Sequence, residues 1–177
     1  HLDDTVSSCV DKVATLREAI VDIDHTSTEL VLTRQCADVS KLIFHMRING
    51  DRIDSASLSR FDRNLRAAVE TTLGGDVPDT SWLQATTGVV FGGLGFRSAE
   101  STALAAFIAS RITSRPLVCT MAQHYADATG ERWDRIMQAY DARTEDALVN
   151  IVGLLPPDVG TDLVEKLADA GDQAALV

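Results

Sequence analysis

The chain holds 177 residues, 45% hydrophobic and 24% charged. That length suits one ordinary domain whose core folds without disulfides or metals, and the balance excludes a disordered tail, a collagen-like chain and a disulfide scaffold. The net charge of −10 opposes general binding to polyanions or anionic membranes, and no apolar run approaches the roughly 20 residues that cross a bilayer.

The charge is uneven. Residues 1–30 carry seven acids and two bases, whereas residues 31–66 carry seven bases and four acids. Residues 67–96 are net −3, 97–115 net +2, 116–126 neutral and 127–177 net −7. A local basic face therefore survives in an acidic chain.

In chain order, Leu2, Val6, Cys9, Val13, Leu16, Ile20 and Ile23 recur at alternating four- and three-residue steps. That apolar stripe predicts one amphipathic helix of an intramolecular bundle, ending at Asp24-His25. Thr26 followed by Glu29 reads as a capping box for a second helix. Leu32, Cys36, Val39, Ile43 and Met46 form its inner face, and Asn49-Gly50 its stop. A third helix is expected from about Ser57, with Leu58, Phe61, Leu65, Ala68 and Leu73 inward and Gly74-Gly75 as its C-terminal stop.

Pro78 marks a loop, and Thr80 or Ser81 can cap a short turn holding Trp82 and Leu83. Thr86 to Phe91 is β-like, rich in branched residues. It leads into a structural glycine loop at Gly92, Gly93 and Gly95, where three glycines in four positions imply unusual backbone angles or close chain approach. Ser98 with Ser101 opens the next helix. Its alanines, Ala103, Ala105, Ala106 and Ala109, allow close packing, while Leu104, Phe107, Ile108 and Ile112 supply bulk. Pro116 should end that helix or start the next. A further helix carries Trp133, Ile136, Met137 and Tyr140, with a break near Asp141 and a fresh start at Thr144. Pro156-Pro157 stops it, and Asp158 to Ala175 suits a final acidic helix with Leu163, Val164 and Leu167.

The expected fold is all-α: a single-domain bundle over residues 1–177 of about seven or eight helices, one glycine-rich loop and room for a short strand pair. The chain starts at His1 without a methionine or a signal-like apolar region, which reads as a fragment of a longer protein.

Few constellations suggest chemistry. Cys9, Cys36 and Cys119 are widely spaced and form no Cys-x-x-Cys pair. Buried thiols in a reducing, intracellular compartment (cytoplasmic or nuclear) are the expected reading. His1, His25, His45 and His124 show no zinc spacing with them, so neither a metal nor a cofactor is expected. Asp3-Asp4 reads as acids at a helix start, favoured by the dipole, and Asp22-Ile23-Asp24-His25 as a polar helix end. Gly92 to Ser98 precedes a helix, so its amides with Arg97 could hold an anion, but the loop lacks the Gly-Lys-Ser/Thr ending of a P-loop. Ser98, Ser101 and His124 make a hydrolase triad only on paper, because no Gly-x-Ser-x-Gly elbow is present. Arg34, Lys41, Arg47, Arg52, Arg60, Arg63 and Arg66 form a basic cluster. It reads as a solvated mixed-charge face or as phosphate-backbone contacts.

Four stretches together resemble a known family. They are Leu30 to Cys36 with Ser40-Lys41-Leu42 and His45-Met46-Arg47; Phe61-Asp62 to Ala67-Ala68; Trp82 to Ala85 followed by Gly92 to Ala99; and Ala105 to Ser110. In this order they resemble the region after the catalytic palm in reverse-transcriptase-like proteins of non-long-terminal-repeat retroelements. The resemblance covers about residues 1–125, and residues beyond match nothing named. It implies a helical, thumb-like region that supports a primer–template duplex. The polymerase palm would lie before His1, so no catalytic residue carries over. Contact with an RNA–DNA or RNA duplex would use Arg34, Lys41, Arg47, Arg60, Arg63, Arg66, Arg97 and Arg111, with Arg115 beside them. The alternative is a helical protein-interaction or oligomerisation module without nucleic-acid affinity, binding a protein partner or a second copy. No membrane association is expected on either reading.

Overall fold

The structure, a computed structural model, describes residues 2–157 and Gly160. Among the described residues every regular element is helical: α1 (Leu2–Val21), α2 (Thr26–Cys36), α3 (Ile43–Asn49), α4 (Ser55–Leu73), α5 (Asp79–Thr86), α6 (Ala99–Thr129) and α7 (Trp133–Gly153), with 3-10 turns at Val39–Lys41 and Val89–Phe91. The chain divides into two compact units between Ala103 and Leu104. None of the described helices is long and apolar enough to cross a membrane. The final helix expected over Asp158 to Ala175 lies outside the described residues.

In the first unit, α1 packs along α4. The inner face of α1 is Val6, Val10, Val13, Arg17 and Ile20, and that of α4 is Leu58, Phe61, Leu65 and Val69. The stripe read from the sequence is therefore rotated: Leu16, Ile23 and Leu73 are exposed, and an arginine takes an inward position. Asp54 caps α4 by accepting from the Ser57 amide, and Gly74 ends it in the left-handed region at φ 74°. Trp82 stacks on Phe96 at 6.2 Å, beside Leu65, Val69 and Ala85.

Four expectations are corrected here. The second helix is not continuous. It stops at Cys36: Ala37 leaves helical geometry, Asp38 is extended and buried, and the chain resumes as a 3-10 turn and α3. Its N-cap is His25 rather than Thr26: His25 Nδ1 accepts from the Thr28 amide, and Glu29 Oε1 accepts from the His25 amide at 2.7 Å. The β-like stretch forms no strand. Thr86 closes α5, and Val89–Phe91 is a 3-10 turn whose side chains are exposed. Branched residues favour strands only when a partner covers one face, and here no neighbouring strand exists among the described residues. The short α5 starts at Asp79, straight after Pro78, which leaves Thr80 and Ser81 inside the helix.

In the second unit, Phe107 and Ile108 of α6 pack with Ala147 of α7, flanked by Leu104, Ile112, Leu148 and Ile151. Pro116 lies inside α6 without ending it. The break expected near Asp141 is absent. Thr144 donates its hydroxyl to the Tyr140 carbonyl and accepts from Arg111 Nε at 2.9 Å, so it serves the helix interior rather than capping a new one.

Candidate nucleic-acid interface

The basic residues singled out from the sequence fall into two groups. In the first, the guanidinium already has internal partners. Arg60 bonds Asp11 at 3.0 Å and the Ser7 hydroxyl at 2.9 Å, tying α4 to α1. Arg66 bonds Glu70 at 3.0 Å, Asp79 at 2.8 Å and the Val77 carbonyl; the hydrogen bonds to Asp79 and Glu70 raise its pKa. Arg97 Nε donates to Asp38 at 3.1 Å. Arg34 reaches the Leu94 carbonyl at 3.4 Å. Arg111 lies 3.5 Å from the Tyr140 ring centroid, while Arg115 pairs with Asp141 at 2.8 Å. Arg52 is 3.8 Å from Asp51. Each of these cations performs a local structural task.

The second group is Lys41, Arg47 and Arg63. All three are exposed, and among the described residues no ion pair engages them.

The start of α6 shows why Gly92 to Ser98 makes a poor anion site. Asp62, half-buried on α4, accepts from the Ala99 amide at 2.7 Å, the Glu100 amide at 3.2 Å and the Ser98 hydroxyl at 2.7 Å. A carboxylate of the chain itself thus satisfies the helix start. Asp38, fully buried, accepts from the backbone and side chain of Arg97. The glycines serve geometry. Gly92 and Gly95 have φ of 82° and 75°, and a Cβ on Gly93 would meet the Thr87 carbonyl oxygen at 2.2 Å.

Arg17 is the polar centre of this unit and was missed in the sequence. It is 2% exposed. Its Nε donates to the Ala37 carbonyl at 2.9 Å, its Nη1 to the Phe61 carbonyl at 3.0 Å, and its guanidinium lies 4.2 Å from the Phe61 ring centroid. Nη2 is buried without a partner. Burial lowers its pKa to about 10, opposed by Asp38 and Asp62, so it remains charged at neutral pH. An arginine between Thr15-Leu16 and Glu18 gives no sequence signal of burial, because charged residues are rarely buried unless paired.

The other candidates resolve as structural features. Ser98 and Ser101 belong to the α6 cap, with the Ser101 amide donating to Ser98 Oγ. His124 is exposed on α6. Asp3 and Asp4 occupy the first turn of α1, and Asp24 sits at φ 57° in the turn before α2. The cysteines are free, but none is buried: Cys36 is exposed, and Cys9 and Cys119 are half-buried. Among the described residues, no group of three or more metal-ligating side chains occurs. No protein-family model, curated protein or solved structure matches the chain.

Proposed function

We propose that the chain is a non-catalytic, thumb-like module of a reverse-transcriptase-like protein, making accessory contact with nucleic acid inside the cell. The observation that carries this reading is the exposure of Lys41, Arg47 and Arg63, with no ion pair to them among the described residues of an otherwise acidic chain. Cations with no internal partner remain free to replace the counterions of a phosphate backbone. The order of segments resembling the post-palm region supports the same reading.

The test is fluorescence anisotropy of a labelled RNA–DNA hybrid with the full chain. Binding is expected at low salt and should weaken steeply as salt rises. Lys41→Glu combined with Arg47→Glu should abolish it. Undetectable binding at low salt rules the reading out.

A second reading, a protein-interaction or oligomerisation module, is favoured by one observation. Val90 is 93% and Phe91 84% exposed, with Leu83 and Val89 also exposed nearby in sequence. Apolar side chains grouped at a surface mark contact sites. Sedimentation velocity separates the two: a concentration-dependent dimer lost on Phe91→Ser supports this second reading, and a monomer at all concentrations contradicts it for self-association.

A further inference from the structure

Resting on the proposed nucleic-acid contact, we infer that its site is a small surface formed by α1, the Val39–Lys41 turn and α3, built for an unpaired strand. The elements come together at Cys9, whose Sγ lies 3.5 Å from the Lys41 carbonyl oxygen. Lys12 and Lys41 both sit close enough to act electrostatically on that thiol. Lys12 and His45 line one open cleft of about 420 Å³ together with Asp4, Thr5, Ser8 and Cys9. Beside it, the Phe44 ring stands edge-on to His45, centroids 5.7 Å apart.

Three features define what this surface fits. First, Lys12, Lys41 and Arg47 are exposed, and no ion pair among the described residues engages them. Positions 44, 47 and 48 share one face of α3 by helical spacing, so Arg47 lies beside Phe44. Second, Phe44 is 67% exposed. A large ring held in water by a seven-residue helix gains nothing for the fold, whereas an unpaired base offers a π-face to cover it. Third, Ile48 is exposed next to the ring and widens the apolar platform. Cations flanking an exposed ring match a strand whose bases are splayed and whose phosphates run alongside. A closed duplex hides its base faces and would use only the cations. Against Lys12, Lys41 and Arg47, the cleft lining itself holds one acid, Asp4.

The experiment measures anisotropy of three labelled probes at low salt with the whole chain: a 12-nucleotide single strand of RNA, the same sequence in DNA, and the matching duplex. The single strands should bind more tightly than the duplex. Phe44→Ala should weaken single-strand binding about fivefold or more, the effect of losing one stacked base, while leaving duplex binding unchanged. Because Phe44 is exposed, circular dichroism of that variant should match the parent. Lys41→Glu with Arg47→Glu should remove binding to all probes, and Arg135→Glu, an exposed cation on α7 outside the surface, should leave it unchanged. Equal affinity for duplex and single strand, or indifference to Phe44→Ala, overturns this inference and leaves the broader reading standing. Failure of every probe to bind overturns both.

Discussion

Each of the two compact units is held internally by a different balance of contacts. In the first, α1 and α4 bury a continuous apolar seam of valines, leucines and Phe61, and a single arginine is sunk into it. In the second, the described residues of α6 and α7 form an apolar cluster around Phe107, Ile108 and Ala147, with Ala122, Ala126 and Met137 also buried. Polar bonds accompany it: Arg111 bonds Thr144 and lies over Tyr140, the Tyr140 hydroxyl donates to the Arg111 carbonyl at 2.7 Å, and Arg115 bonds Asp141. A buried polar group costs much when its partner is lost, whereas a solvent-accessible bond is replaced by water. One deletion should therefore damage the first unit far more than the second.

The largest expected effect follows from Arg17. Arg17→Ala removes the donors to the Ala37 and Phe61 carbonyls and leaves a void beside Phe61. It should cost about 3–5 kcal/mol in urea unfolding. A loss below about 1 kcal/mol would mean that the unpartnered Nη2 offsets the two bonds, and the contrast between the units would fail. Tyr140→Phe sharpens the comparison from the other side. It deletes the hydroxyl bonded to the Arg111 carbonyl and to Ser114, and should cost about 1 kcal/mol in the same assay. The smallest effect is electrostatic. Arg115 holds the Asp141 pKa below its usual 3.8, so the pair's stabilisation is complete above that value and is lost as pH falls through the lowered folded value. The side chains are about a third to a half exposed, so acid titration of Asp141→Asn against the parent should differ by less than about 1 kcal/mol.

Helical patterning made the class of fold legible: periodic valines and leucines located α1 and α4, and Gly74 stopped α4 where its left-handed φ requires a glycine. What stayed hidden was decided by contacts distant in sequence. Asp38 ends α2 early because it is the buried partner of Arg97 across 59 residues. Gly50 does end α3, but with an ordinary φ of −58°. Its real constraint is the Ala103 carbonyl oxygen, which a Cβ would meet at 2.1 Å. The candidate interface was legible only as a count of cations. Counting cannot separate Arg60, Arg66 and Arg97, which have acids against them, from Lys41 and Arg47, which have none among the described residues. Lys12 was concealed by the acidic stretch around it, and Phe44 by inward Met46 two residues on.

The sharpest test of this division among the cations is the salt dependence of single-strand binding by the intact chain. Each phosphate-facing cation contributes about −0.7 to the slope of log affinity against log salt. Contact through Lys12, Lys41 and Arg47 alone predicts a slope of about −2. A slope near −5 or steeper would show that the internally bonded arginines leave their partners to bind phosphate, contradicting the assignment of the surface to α1 and α3.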